Sequence, residues 1–318
     1  MTASQERQNR AAVLRAQGYT FRSIAEVLSY SSPQAARQAV LASQRRATTI
    51  VTGATWTPRA TGDRAFGIEI EFFGISSNTA LDALTTAGLN VDRQSYNHNT
   101  CPTWKLVTDA TVNGSGLELV SPKLSGESGY AEVMLAMTTL KAAGAVVNHS
   151  CGMHVHHDAE DLTGHEIASL MELYVGRQDA IDQLVAPSRR GTIYNTWCQR
   201  VDPRELSRIV TSLRAERRPP VGHGNGNSQY RYRTINVQAM LRHGTVEIRQ
   251  HQGSLNGEKA IAWIKFGQAL IRSAQSNASQ AVPNTVFEML QSLATNHGLD
   301  TATAEYLITR AFHFANNS

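Results

Sequence analysis

Cysteine is scarce in this chain, and the few present are not spaced for pairing. Cys101, Cys151 and Cys198 lie far apart among 318 residues and form no Cys-x-x-Cys. That argues against a disulfide framework and a cysteine zinc site, and a reducing, cytoplasmic setting is expected. No apolar run approaches the ~20 residues needed to cross a bilayer, so no membrane partner is expected. The opening residues MTASQERQNR are polar, which predicts no secretory signal or transit peptide. No Gly-x4-Gly-Lys-[Ser/Thr] occurs, so a P-loop nucleotide site is excluded. Internal repeats and low-complexity tracts are also missing.

What is present is ordinary globular composition, 41% hydrophobic and 18% charged, with a net charge of +4. The charge is uneven. Residues 1–50 hold seven Arg and two Glu, or +5. The other 268 residues carry 23 basic and 24 acidic groups, or −1. The basic pI therefore owes much to the first fifty residues and is no nucleic-acid signature of the whole chain.

Residues 1–46 show apolar positions at helical spacing (Val13, Leu14; Ile24, Val27, Leu28; Val40, Leu41), with breaks at Gly18-Tyr19 and Ser31-Ser32-Pro33. Ser before Pro at a first helical position is a start signal. Three short helices are predicted, the last carrying Arg37, Arg45 and Arg46. The arrangement resembles a helix-turn-helix with the third helix in the recognition position, which makes DNA a candidate contact. A helical arm packed on the main domain is the alternative. Residues 47–63 read as a linker, 64–275 as the main domain and 276–318 as C-terminal helices. Within these, 127–143, 163–185, 203–218, 258–277 and two stretches of 284–314 read as helices. Residues 219–229 read as a mobile loop, a candidate lid.

Four stretches of the main domain alternate with period two, the mark of half-buried strands. In AFGIEIEFF, Phe66, Ile68, Ile70 and Phe72 fall on one face, and Glu69 and Glu71 on the other. Two carboxylates ~7 Å apart on one face suit a hard divalent cation, though an exposed polar face is the commoner explanation. SGLELVSP sets Glu118 among apolar residues, and Asp109 ends the strand-like run before it. In CGMHVHHD, His154, His156 and Asp158 share a face opposite Met153 and Val155. In HGTVEIRQHQGS, Thr245, Glu247, Arg249 and His251 share a face opposite Val246 and Ile248. QYRYRTIN places Arg231 and Arg233 on one face of a further strand, and SRR adds Arg189 and Arg190. A sheet with one dry, helix-covered face and one charged, concave face accounts for all of these together. Carboxylates with His suit divalent metal, and Arg suits forked binding of phosphate.

In this order, GIEIEFFG, LELVSP, CGMHVHHD, SRR and TVEIRQHQGSLN resemble the amidoligase family over roughly residues 64–275. The family belongs to the carboxylate–amine ligases, and GMHVH and VEIR resemble strands of glutamine synthetase itself. The resemblance implies an α+β fold with a glutamine-synthetase-like antiparallel sheet. It implies an ATP- and Mg²⁺- or Mn²⁺-dependent ligase that joins a carboxylate to an amine of an amino acid, peptide or protein through an acyl phosphate. Glu69, Glu71, Glu118, His154 and Glu247 would be metal ligands. Arg249 and His156 would meet the phosphates, with Arg189 and Arg190 as further contacts. Arg231 and Arg233 would match, loosely, arginines that hold phosphates and the acyl phosphate. His251 and Asn236 fit the pattern without an assigned role. Asp109 stands in Asp-Ala-Thr, where Asp-x-Ser is commoner, and no N-terminal β-grasp domain is visible. Two alternatives remain: an interaction or DNA-binding protein with a degenerate ligase domain, and a metal-dependent hydrolase. The oligomeric state stays open.

Overall fold

The computed structural model describes residues 3–16, 19–40, 42, 64–97, 99–191, 198–216, 219–220, 229–276 and 282–316. The expected linker 47–63, Arg45, Arg46 and most of the expected lid, residues 221–228, lie outside the described residues.

Three helices come first: α1 (Ala3–Ala16), α2 (Phe21–Val27) and α3 (33–40). They bury Ala11, Ile24, Ala25, Ala36, Ala39 and Val40 in a small core of their own. The main body follows, an α+β arrangement around one seven-stranded sheet among the described residues. Its strands are β1 (Phe66–Phe72), β2 (Val91–Arg93), β3 (Trp104–Asp109), β4 (Gly116–Val120), β5 (Gly152–Asp158), β6 (Ile235–Asn236) and β7 (Thr245–Gln252). They are ordered β2-β3-β4-β1-β5-β7-β6, and among these described strands only the β2–β3 pair is parallel.

Alternation decides what each face does. Phe66, Ile68, Ile70 and Phe72 of β1, Leu117 and Leu119 of β4, and Met153 and Val155 of β5 are buried on one side. This dry side packs against helices that include α5 (Gly126–Ala142), α6 (Gly164–Gly176) and α10 (Gly257–Gln275). Fully burying one such side chain stabilises by ~1.5–3 kcal/mol, so the apolar phase of the strands outweighs any single polar contact. The remaining helices are α4 (Ser77–Thr86), α7 (Gln178–Ile181), α8 (Pro203–Glu216), α9 (Met240–His243), α11 (Val286–Asn296) and α12 (Thr301–Asn316). Among the described residues, no helix is long and apolar enough to cross a membrane.

Three local expectations need correction. The helix expected over 163–185 stops at Gly176, because Arg177 leaves helical geometry at φ −113°, ψ 12°; a short α7 and a 3-10 turn follow. The strand expected around Arg231 and Arg233 shrinks to Ile235–Asn236, and Gln229–Tyr232 form a 3-10 turn. Finally, β7 carries a bulge. Val155 pairs with Ile248 and Met153 with His251, so Arg249 and Gln250 together oppose His154. One extra residue reverses the alternation beyond it. His251 therefore joins Met153 on the dry side, against Trp263 of α10 at 5.2 Å between ring centroids.

Candidate active site

The polar face of the sheet floors a cleft of ≈ 470 Å³. Strand register brings its donors together. Glu69 of β1 lies opposite His154 of β5, and Glu71 opposite Glu118 of β4. Glu247 of β7 lies between His156 of β5 and Asn236 of β6. Residues up to 178 positions apart in the chain (Glu69 and Glu247) thus meet because four neighbouring strands share one pleat phase.

His154 is the hub. Its Nδ1 lies 3.0 Å from Glu69 Oε2 and 3.6 Å from Glu247 Oε1, and its Nε2 lies 3.6 Å from Glu71 Oε1. Two groups of three donors result, Glu69–His154–Glu247 and Glu71–Glu118–His154, each with ligand atoms within 4.8 Å of one another. His156 Nε2 lies 3.4 Å from Glu69 Oε1, and its Nδ1 is 2.9 Å from Thr245 Oγ1. The backbone N–H of Gly152 donates to Glu71 Oε2 at 2.6 Å. Gly152 has no room for a side chain: a Cβ there would stand 2.8 Å from a guanidinium nitrogen of Arg189 and 2.9 Å from His154 Nε2.

Arg249 is buried beside Glu247, to which its Nη1 donates, while Asn236 Nδ2 donates to the other Glu247 oxygen at 2.7 Å. Arg189 donates to the Arg249 carbonyl at 2.7 Å. The Nε atoms of Arg189 and Arg249 are buried with no hydrogen-bond partner among the described residues. Both arginines line the cleft, as do Arg231, Asp109 and Asp158.

The electrostatics are lopsided. Burial raises the Glu118 carboxyl well above its usual range, and the nearby Glu69, Glu71 and Asp109 push it the same way. For Glu69, burial is outweighed by hydrogen bonds from His154 and His156, and its pKa falls well below the ordinary value. Glu247 is likewise lowered, because Arg249 and His156 overcome its burial. His156 is raised, since Glu247 and Glu69 outweigh the burial that would lower it. At the cleft floor Glu69, Glu71, Glu118 and Glu247 thus outnumber Arg249 and Arg189, the chemistry that invites a hard divalent ion.

Not every expected residue reaches the cleft. Arg233 turns away: its Nε donates to Glu205 of α8 at 2.8 Å and its Nη1 to Gln199, which precedes that helix, at 2.8 Å. Arg190 donates to the carbonyls of Asp182 and Val185 and lies outside the cleft lining. His251 is on the dry side. Conversely, the cleft gains a wall unforeseen from sequence: Tyr96, Asn97, Asn99 and Thr100, with Arg242 and His243. Buried Lys105 braces it through bonds to the carbonyls of Asn97 and Asn99, both 3.0 Å. Tyr96, Asn97, Asn99 and Thr100 lie in a loop and Arg242 and His243 in the short helix 240–243, where no periodicity marks a face.

A family model described as "Putative amidoligase enzyme" matches residues 62–271. No curated protein matches the chain. Among solved structures, a "novel glutamine synthase homolog" is similar at 12% identity and a TM-score of 0.39, covering 85% of this chain and 70% of that one. The family match spans every strand of the sheet and every carboxylate and imidazole donor at the cleft floor, and the chain belongs to the amidoligase family.

Proposed function

We propose that the cleft binds ATP with divalent metal and joins a carboxylate to an amine through an acyl phosphate. The observation that carries this reading is the pair of three-donor groups sharing His154, set beside Arg249 in one cleft. Four carboxylates and one imidazole fit Mg²⁺ or Mn²⁺, which favour oxygen ligands. Glu69, His154 and Glu247 would hold one ion and Glu71 and Glu118 a second, since neutral His154 offers one free ring nitrogen and can serve only one of the two. Such ions, when bound, offset triphosphate charge.

The chain's own residues supply position and charge. Glu247 and Asn236 hold Arg249 and its neighbourhood in place, and Arg249 and Arg189, which both line the cleft, set guanidinium charge beside the phosphates. Arg231 adds positive charge at the cleft wall. In the reaction, a carboxylate oxygen of the acid attacks the γ-phosphorus and ADP departs. The amine nitrogen then attacks the acyl carbon, phosphate leaves, and the amine gives up a proton. Arg249 neutralises charge as the phosphoryl group transfers, the main protein contribution in such chemistry.

Hydroxylamine provides a test. With ATP, Mg²⁺ and a mixture of amino acids or peptides, it should capture the acyl phosphate as a hydroxamate while ADP accumulates. The Glu69→Ala/Glu247→Ala variant should bind neither Mn²⁺ nor ATP with metal. Unchanged metal binding in that variant, or metal-dependent turnover that needs no nucleotide, overturns the proposal; the latter indicates a hydrolase.

A further inference from the structure

We infer that residues 19–40 form a helix-turn-helix whose last helix docks on duplex DNA. This stands independently of the ligase reading, because it uses a separate core and separate residues.

The local geometry comes from the sequence. Thr20 caps α2 by accepting from the Ser23 N–H at 3.2 Å. The helix ends at Leu28, and Ser29 takes a left-handed φ of 53°. The Tyr30 N–H then returns to the Ala25 carbonyl at 2.8 Å. Ser32 opens α3 by accepting from the Ala35 N–H at 3.1 Å, with Pro33 at the first helical position. Five residues, 28–32, therefore connect the two helices. Both helices turn small residues inward, Ala25 from one and Ala36 and Ala39 from the other. Small residues let two helices cross closely, as this motif requires.

The outward face has a definite chemistry. Gln34, Arg37 and Gln38 are exposed on α3, and their i, i+3, i+4 spacing puts them on one side. Arg and Gln are the side chains that read purine edges by paired hydrogen bonds, and the major groove admits one helix. The face is polar, which disfavours an apolar protein partner. No Asp or Glu occurs between Glu26 and Asp63, while Arg37, Arg45, Arg46 and Arg59 do. Arg7 and Arg15 are already used internally: Arg7 donates to the Leu28 carbonyl at 2.7 Å and Arg15 to that of Tyr19 at 2.9 Å. They brace the unit, and Arg22 and Arg37 remain exposed for phosphate or base contact.

Fluorescence anisotropy of the full chain with a labelled 30-base-pair random duplex tests this. Binding should be saturable at 50 mM salt and weaken at least about tenfold by 200 mM, as phosphate contacts do. Arg37→Glu/Gln38→Glu should weaken it about tenfold or more, with helicity by circular dichroism and Mn²⁺ binding unchanged. Arg204→Glu/Arg208→Glu, on the exposed side of α8, should leave it unaltered. Absence of binding, indifference to the α3 variant, loss in the α8 variant, or tighter binding of single-stranded RNA of equal length each overturns the inference.

Discussion

Glu118 faces Glu71 directly across β1 and β4, a like-charge pair that destabilises a sheet unless a cation relieves it. Its raised pKa means that stability is fully present below the ordinary carboxyl value and is lost as pH rises through the folded one. Glu118→Gln should therefore raise the melting temperature of the metal-free protein at neutral pH. The same variant should shrink the stabilisation by Mn²⁺, since a ligand is gone. A Glu118 that binds no metal would show the first effect and not the second. His157 gives the opposite slope. It is buried on the dry side, its two nitrogens lack partners among the described residues, and burial lowers its pKa to about 3. The unfolded chain takes up that proton near pH 6.5, so stability should fall as pH drops from about 6.5 toward 3, by a few kcal/mol. His157→Leu should flatten this acid limb in urea titrations across that range. Burial also lowers His251 to about 3, although its Nδ1 meets the Gln252 carbonyl at 2.7 Å. At this scale the period-two pattern was sufficient to put Glu69, Glu71, Glu118, His154 and Glu247 on the face that lines the cleft. It failed for Arg233, because the competing carboxylate of Glu205 comes from α8, a helix 28 residues upstream.

The element that decides the depth of the sheet packing is α10. Gly267 lets it approach β5: a Cβ there would stand 2.2 Å from His157 Nε2 and 3.0 Å from Ile248. Gly267→Ala should cost ~1–3 kcal/mol through overpacking, read as a lowered urea midpoint with an unchanged m value. Adding His157→Ala should recover part of that loss, since the colliding atom is removed. In the N-terminal unit, Ser29 holds a left-handed conformation that glycine adopts freely. Ser29→Gly should stabilise that unit by up to ~1 kcal/mol in thermal melts. The bulge in β7 is the element-level feature hidden from alternation counting. Gln250, turned to the dry side, binds Tyr174 at 2.8 Å and Gln178 at 2.8 Å, a network spread over α6 and α7. That network rewards the bulge, and nothing within TVEIRQHQ announces it.

Two hydrophobic cores, one of residues 11–40 and one of the sheet and its helices, share no member. Calorimetry should accordingly resolve two transitions, and Ser29→Gly should move only the smaller one. A single merged transition would mean that the contact of α1 with α12 couples the units strongly. The sequence by itself determined the strand phases, the helical N-terminus and the chemical kinds of donor, because burial of one face imposes a period that residues obey locally. Tertiary structure alone decided which strands became neighbours, and thereby that His154 stands between two carboxylate groups. It also decided that His251 and Arg233 leave the cleft while Tyr96 and Lys105 build its wall. Those outcomes depend on register, a bulge and partners far along the chain, which local spacing does not encode.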